Sequence, residues 1–281
     1  MRNVKALSKQ GSNIKPNEDK LTIVDGAAWI LDGATGLTGK KITENETDAL
    51  WYVEALDDYL RDNINSPMDI KEIIKNGVKE VKARYSMYNG FSDLDEVDYP
   101  CAALSLVRFD DKELEYYVIG DCTLIYSDYN GQTKEVVDKR LIELEENILI
   151  KMCEVSKINN ISVLESRQYC NDEVIKVRKL KNKSNGYCIL ELNEDIVDKG
   201  IFSKVPINRE LNICITSDGF SQCYDTFNLA KDYKEFIRLV KENNIEDIFK
   251  GLCEEQEKDS ECTHYPRLKK KDDSSIIYFQ L

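Results

Sequence analysis

The apolar runs of this chain are short, and the connections between several of them are too tight for a crossover. LTIV (21–24) and AAWIL (27–31) are separated only by Asp25-Gly26, and CAALSLVRF (101–109) and ELEYYVIG (113–120) only by Asp110, Asp111 and Lys112. A link of two or three residues folds a strand back on its neighbour, whereas a parallel pair needs a dozen residues or more. Asp25-Gly26 predicts a type I′ hairpin with Asp19 and Asp32 together at its open end. Further strand-like runs are TLIYS (123–127), which leads into a turn at SDYNGQ, then YCILEL (187–192), LNICITS (211–217) and SIIYFQL (275–281).

Helical periodicity lies between these runs. Ala49, Tyr52, Val53, Leu56, Tyr59 and Leu60 form a stripe that predicts a helix over 47–63, and Ile73, Ile74, Val78, Val81 and Tyr85 predict another over 70–88. An amphipathic stretch at 138–157 and a segment near 231–252 complete the helices. Residues 158–186 are polar and basic (RKLKNKSNG) and read as a surface excursion. Hairpin-connected strands with helices grouped between them point to an α+β fold of antiparallel sheets flanked by helices. With no internal repeat and no linker rich in Pro, Gly or Ser, residues 1–281 are expected to form a single domain.

Lys plus Arg number 39 against 52 Asp plus Glu, a net charge of −13 that opposes nonspecific binding to nucleic acid or to an anionic membrane. The N-terminus is basic without an apolar segment behind it, and no apolar run approaches the roughly 18 residues that span a bilayer. A cytoplasmic location, with neither nucleic acid nor membrane as a partner, is the expectation; oligomeric state leaves no signal. The nine cysteines include no Cys-x-x-Cys pair and mostly occupy apolar contexts, where a reduced thiol acts as a small hydrophobe.

The acidic residues recur where strands begin or end. Glu18 and Asp19 precede the first strand of the hairpin, Asp32 ends the second, Asp121 follows YVIG, Asp218 ends LNICITS, and Asp272 and Asp273 precede the last strand. In antiparallel neighbours one strand's end lies beside the next one's beginning, so these groups can share one edge. Clustered carboxylates raise each other's pKa, and a bound divalent cation reverses that penalty. Oxygen-only ligands suit Mg²⁺ or Mn²⁺. A lone histidine, His264, argues against both a His-based zinc site and a Ser-His triad. Asp-Gly is also among the commonest turn dipeptides, and it occurs at 25–26, 32–33 and 218–219, so the turn reading and the ligand reading both stand on the residues alone.

PNEDK (16–20), LDGATG (31–36), YVIGDCTLIY (117–126), ITSDGF (215–220) and KKDDSSIIYF (270–279) resemble, in content and order, the motifs of the metal-dependent serine/threonine phosphatases, the PP2C-like or PPM family. The resemblance implies a four-layer α-β-β-α sandwich with a dinuclear Mn²⁺ or Mg²⁺ centre at one end. Asp32 would bridge both ions and the Gly33 carbonyl would bind one of them. Asp218 and Asp272 would complete the first ion's carboxylates, and Glu18 and Asp19 would hold waters at the second. Asp121 would serve a weaker third ion, sharing Asp218. A water between two such ions is acid enough to attack phosphorus in line, so Asp32 and Asp218 would carry the hydrolysis of phosphoserine or phosphothreonine in a protein.

The chain also departs from that pattern. Many relatives place a phosphate-clamping arginine four residues before the position of Glu18; here that residue is Ile14, with Lys15 beside it as a replacement lacking the guanidinium fork. Where some members carry a histidine after the bridging Asp-Gly, this chain has Ala34. Residues 158–186 occupy the place of a substrate flap, and their Arg167, Lys176, Arg178, Lys179, Lys181 and Lys183 form either a solvated face or an attractant for a phosphorylated partner. His264 is expected to order the loop before the last strand, and Asp273 and Ser274 to shape the turn presenting Asp272. Trp29, Tyr116, Tyr117 and Tyr126 are expected in the core. A PP2C-fold binding module with weak or no turnover, and a small-molecule phosphomonoesterase, are the alternatives.

Overall fold

The computed structural model describes residues 1–127 and 132–281, so residues 128–131 of the turn expected at SDYNGQ lie outside the described residues. Among the described residues, ten strands form two antiparallel sheets. They are β1 (Arg2–Lys9), β2 (Asp19–Val24), β3 (Ala27–Ala34), β4 (Cys101–Phe109), β5 (Glu113–Ile119), β6 (Thr123–Ser127), β7 (Thr133–Val136), β8 (Ile201–Pro206), β9 (Asn212–Thr216) and β10 (Ser274–Gln280). Sheet I has the order β2-β3-β4-β5-β8 and sheet II the order β1-β10-β9-β6-β7. The helices are α1 (Asp48–Asn63), α2 (Ile70–Tyr85), α3 (Lys139–Asn159), α4 (Val163–Ser166), α5 (Asn171–Arg178), α6 (Asp218–Asp225), α7 (Tyr233–Glu242) and α8 (Ile245–Lys258).

Side-chain alternation builds the layers. Trp29 and Leu31 of β3 pack with Trp51, Leu56 and Leu60 of α1 and Ile74 and Val78 of α2, while Ala28 and Ile30 face Ile213, Ile215, Ile277 and Phe279 of sheet II. The other face of sheet II, with Cys214, Ile276 and Tyr278, packs on Phe220 of α6, Phe236 and Val240 of α7 and Leu252 of α8. Helices therefore cover the outer face of each sheet, giving the expected α-β-β-α sandwich. Central strands are buried on both faces, as in β9 and β10, and each fully buried Leu, Ile or Phe contributes about 1.5–3 kcal/mol. Trp29 and Tyr117 are fully buried, and Tyr116 and Tyr126 nearly so. All nine cysteines are free, seven of them buried. No helix among the described residues is long and apolar enough to cross a membrane.

Several local expectations need correction. The β2–β3 hairpin forms with Val24 opposite Ala27, but only Gly26 of its turn has positive φ (73°), so the turn is not type I′, which needs positive φ at both central residues. YCILEL makes a single bridge, Leu190 to Ala102, instead of a strand. Its residues alternate between the two cores as a strand's would, but β5 already pairs with β4 from Leu104 onward, leaving only that short end of β4 open. The helix expected near 231–252 is two, broken where Asn244 caps α8 by accepting from Glu246 N. The edge strands β1 and β8 have no counterpart in the apolar runs, because they pair on one side only and most of their residues are not buried.

Residues 158–186 are not an irregular loop. They carry α4 and α5, and Val163 and Cys170 pack with Ile148 and Met152 of α3 and with Cys262 in a small core of their own. Nor is their basic run wholly solvated: Lys181 is buried, with Nζ 2.9 Å from Glu191 and 3.1 Å from the Tyr99 carbonyl.

Candidate metal centre

Strand register brings the acidic positions to one edge. Asp19, the first residue of β2, lies directly opposite Asp32 of β3, and Ala34 opposite Cys101 at the start of β4. The end of β5 lies there too, since Ile119 pairs with Leu104. In sheet II, Thr216 at the end of β9 pairs with Ile276 of β10 and Thr123 of β6. Asp121, Asp218 and Asp272 thus leave the sheets at the same end as Asp19 and Asp32. Gly120, in the left-handed region at φ 76°, makes the turn from β5 toward Asp121, where a Cβ would stand 2.6 Å from that of Ala103.

Hydrogen bonds fasten the two sheets together at this edge. Ser217 Oγ donates to Asp19 Oδ2 at 2.8 Å and accepts from Ser275 N at 2.9 Å. Asp273 accepts from Glu18 N at 2.7 Å and Gly11 N at 2.8 Å, so it orders the turn and fixes Glu18. The Glu18 carbonyl accepts from Gly33 N at 3.1 Å, and its carboxylate accepts from Thr35 Oγ1. Asp218 opens α6, where the helix N-terminus favours a negative charge.

The carboxylates act on one another. Burial pushes Asp32 well above the usual carboxylate range, and the charges of Asp19, Asp218, Asp121 and Asp272 add to the effect. Asp218 is raised well above that range by burial, then by Asp272 and Asp121, with Lys269 opposing. Burial likewise raises Asp121 against the pull of Lys269. Asp19 is raised to about 7, by burial and then by Asp273 and Asp272, offset in part by the hydroxyls of Ser275 and Ser217. Its Oδ1 is a buried acceptor without a donor.

Among the described residues, no three His, Cys, Asp or Glu side chains stand close enough together to hold a metal ion as they are. Asp272 is instead engaged by Lys269, whose Nζ lies 2.5 Å from Oδ2. The donor chemistry still fits a hard divalent ion: the gathered groups are oxygen acids, their repulsion calls for positive charge, and the orphaned Asp19 Oδ1 is an acceptor in want of a partner.

The model of one protein family, described as protein phosphatase 2C, matches residues 9–260. This chain belongs to the protein phosphatase 2C family. A search of curated proteins returns no significant match. Among solved structures, the Mycobacterium tuberculosis serine/threonine phosphatase PstP/Ppp superposes with a TM-score of 0.58 at 13% identity, covering 98% of this chain and 97% of that one. The catalytic domain of PstP in complex with two manganese ions gives 0.54 at 13% identity, with 98% and 96% covered. The phosphatase Stp1 from Staphylococcus aureus gives 0.55 at 13%, with 99% and 94% covered. At such identities the likeness is one of fold.

Within this PP2C fold the remaining expected residues, Lys15 and His264, are exposed. Lys15 is exposed with only its carbonyl held, by Gln10 Nε2, and no ion pair among the described residues joins it to the carboxylates. His264 is exposed; the loop is ordered instead by Asp259, which accepts from the backbone of Thr263, His264 and Tyr265 and pairs with Arg267 at 2.8 Å. Two groups at the edge were not anticipated. Glu145 of α3 is raised to about 7, by burial and then by Asp121, which brings α3 to the site. Lys269 is the other. Glu145 belongs to the amphipathic stretch at 138–157 and Lys269 to the loop before the last strand, and only the spacing of Lys269, three residues before Asp272, hints at its place.

Proposed function

We propose that this protein hydrolyses phosphoserine or phosphothreonine in proteins at a dinuclear Mn²⁺ or Mg²⁺ centre. The observation that carries this reading is the convergence of Asp19, Asp32, Asp121, Asp218 and Asp272 on one edge of a PP2C sandwich, where the other four add to the upward shift of Asp32. Asp32 would be shared by two ions, one of them also held by the Gly33 carbonyl; Asp218 and Asp272 would complete the first ion's carboxylates, Glu18 and Asp19 would hold waters at the second, and Asp121 would serve a weaker third. The structure of PstP with two manganese ions supports that number. Bound ions would supply an acidified water as nucleophile and neutralise the phosphoryl oxygens.

The chain's own residues keep these ligands in place. Asp273 and Ser217 tie the strand ends to one another, so the carboxylates project from hydrogen-bonded backbone. Ala34 closes β3 without an ionisable group, which leaves protonation of the leaving oxygen to water. The purified protein is expected to hydrolyse p-nitrophenyl phosphate and a phosphothreonine peptide with Mn²⁺ and to stop with EDTA. Folded protein without metal-stimulated turnover would favour a PP2C-fold binding module, the reading that the exposed Ile14 and Lys15 support. Turnover of small phosphomonoesters alone would favour a metabolite phosphatase.

A further inference from the structure

Ile14 is 93% exposed, and Lys15 is exposed and forms no ion pair with the carboxylates among the described residues, so neither holds a cation against them. Lys269 does, from the loop leading into β10. Its Nζ lies 2.5 Å from Asp272 Oδ2. The side chain is 59% exposed as a whole, and its ammonium lies against the Asp272 carboxylate, where a phosphoryl group entering the site would meet it. The loop is well anchored: Arg267 is buried and bonds Asp259, together with the carbonyls of Gln256, Asp259, Tyr265 and Lys270.

Asp272 also lines a cleft of about 680 Å³ bounded by Lys9, Lys270, Lys271 and Phe249. Glu257 pairs with Lys270 at 3.0 Å and Lys271 at 2.6 Å, and Lys9 has no ion pair among the described residues. With Asp272 committed to a metal, the three lysines face one carboxylate. On a chain of net charge −13 this is a local reversal of sign beside the reaction centre.

We propose that Lys269 binds the phosphoryl group of the substrate and that the lysine-lined cleft takes acidic residues adjoining the phosphoserine or phosphothreonine. The inference rests on the phosphatase reading of the same site. Lysine would act as a point charge, without the two-pronged grip of arginine. With Asp272 serving as a metal ligand, the Lys269 ammonium would be free to pair with phosphoryl oxygen.

The test measures inorganic phosphate binding to Mn²⁺-loaded protein by calorimetry, together with Mn²⁺ affinity and the KM for p-nitrophenyl phosphate. Lys269→Ala is expected to weaken phosphate binding and raise KM by about 10- to 100-fold, in line with the loss of a charged hydrogen bond. Mn²⁺ affinity should hold or tighten, and Lys269→Arg should retain phosphate binding within a few-fold; thermal melts check the folding of each variant. Phosphothreonine peptides with acidic flanks should be preferred several-fold over alanine-flanked ones, and Lys9→Ala with Lys270→Ala should narrow that preference.

If Lys269→Ala only tightens Mn²⁺, with phosphate binding and KM unchanged in an active protein, the lysine merely neutralises the carboxylates and the proposal fails alone. Peptides turned over without regard to their flanks overturn the assignment of the cleft. Wild-type protein that binds phosphate through Lys269 but never turns over refutes the phosphatase reading while keeping the lysine's role. Wild-type protein that binds neither Mn²⁺ nor phosphate overturns both.

Discussion

The dipeptide Asp-Gly occurs three times and meets two different fates, at opposite ends of the sandwich. At 25–26 it turns the β2–β3 hairpin, with Asp25 exposed and Gly26 left-handed. At 32–33 it lies inside β3, paired with Ala103 and Ala102, and at 218–219 it begins α6. Neither of those is a turn, which corrects the turn expectation, and neither glycine has positive φ. Gly219 serves close approach, since a Cβ there would stand 2.0 Å from the Asp273 carbonyl oxygen. One dipeptide therefore buys backbone freedom at one end and room for converging carboxylates at the other. Asp25 faces water, whereas Asp32 and Asp218 are held among like charges.

Substitutions at the two ends sharpen that contrast. Asp218→Asn is expected to lower Mn²⁺-dependent turnover by at least about 10²-fold, the usual scale for losing a group that organises transition-state charge. Gly219→Ala should cost about 1–3 kcal/mol of stability through overpacking against Asp273, and most of the turnover as well. Gly26→Ala has room for its methyl, with Phe109 O at 3.4 Å, so only the left-handed backbone resists it; about 1–2 kcal/mol of stability is lost and turnover is retained. Urea melts combined with p-nitrophenyl phosphate assays distinguish these outcomes. Asp25→Asn should change stability by no more than about 0.5 kcal/mol.

Protonation separates the two ends further. Asp19 titrates near 7 in the fold against an ordinary 3.8, so between those values the folded chain binds more protons than the unfolded one. Its contribution is fully present below the lower value and is lost as pH rises toward the higher. In EDTA-treated protein the melting temperature should therefore fall as pH rises from about 4 to about 7, Mn²⁺ should reverse the fall, and Asp19→Asn should make it shallower.

Much of this arrangement was legible because it depends on strand ends. Short links forced antiparallel pairing, and once β2 pairs with β3, Asp19 and Asp32 must be neighbours. What stayed hidden depends on tertiary surroundings. The exposed edge strands lack a continuous apolar run, and YCILEL alternates correctly yet finds almost no open edge to pair with. Glu145 gains its meaning only from what α3 packs against, which no local pattern encodes, and Lys269 offers no more than its spacing before Asp272.

The central claim is that Asp32-Gly33 is a ligand platform and Asp25-Gly26 only a turn. Calorimetric titration of Mn²⁺ into wild-type, Asp25→Asn and Asp32→Asn protein tests it most directly. Wild type and Asp25→Asn should bind alike, and Asp32→Asn should bind at least about tenfold more weakly. An Asp32→Asn isotherm indistinguishable from wild type would contradict the account.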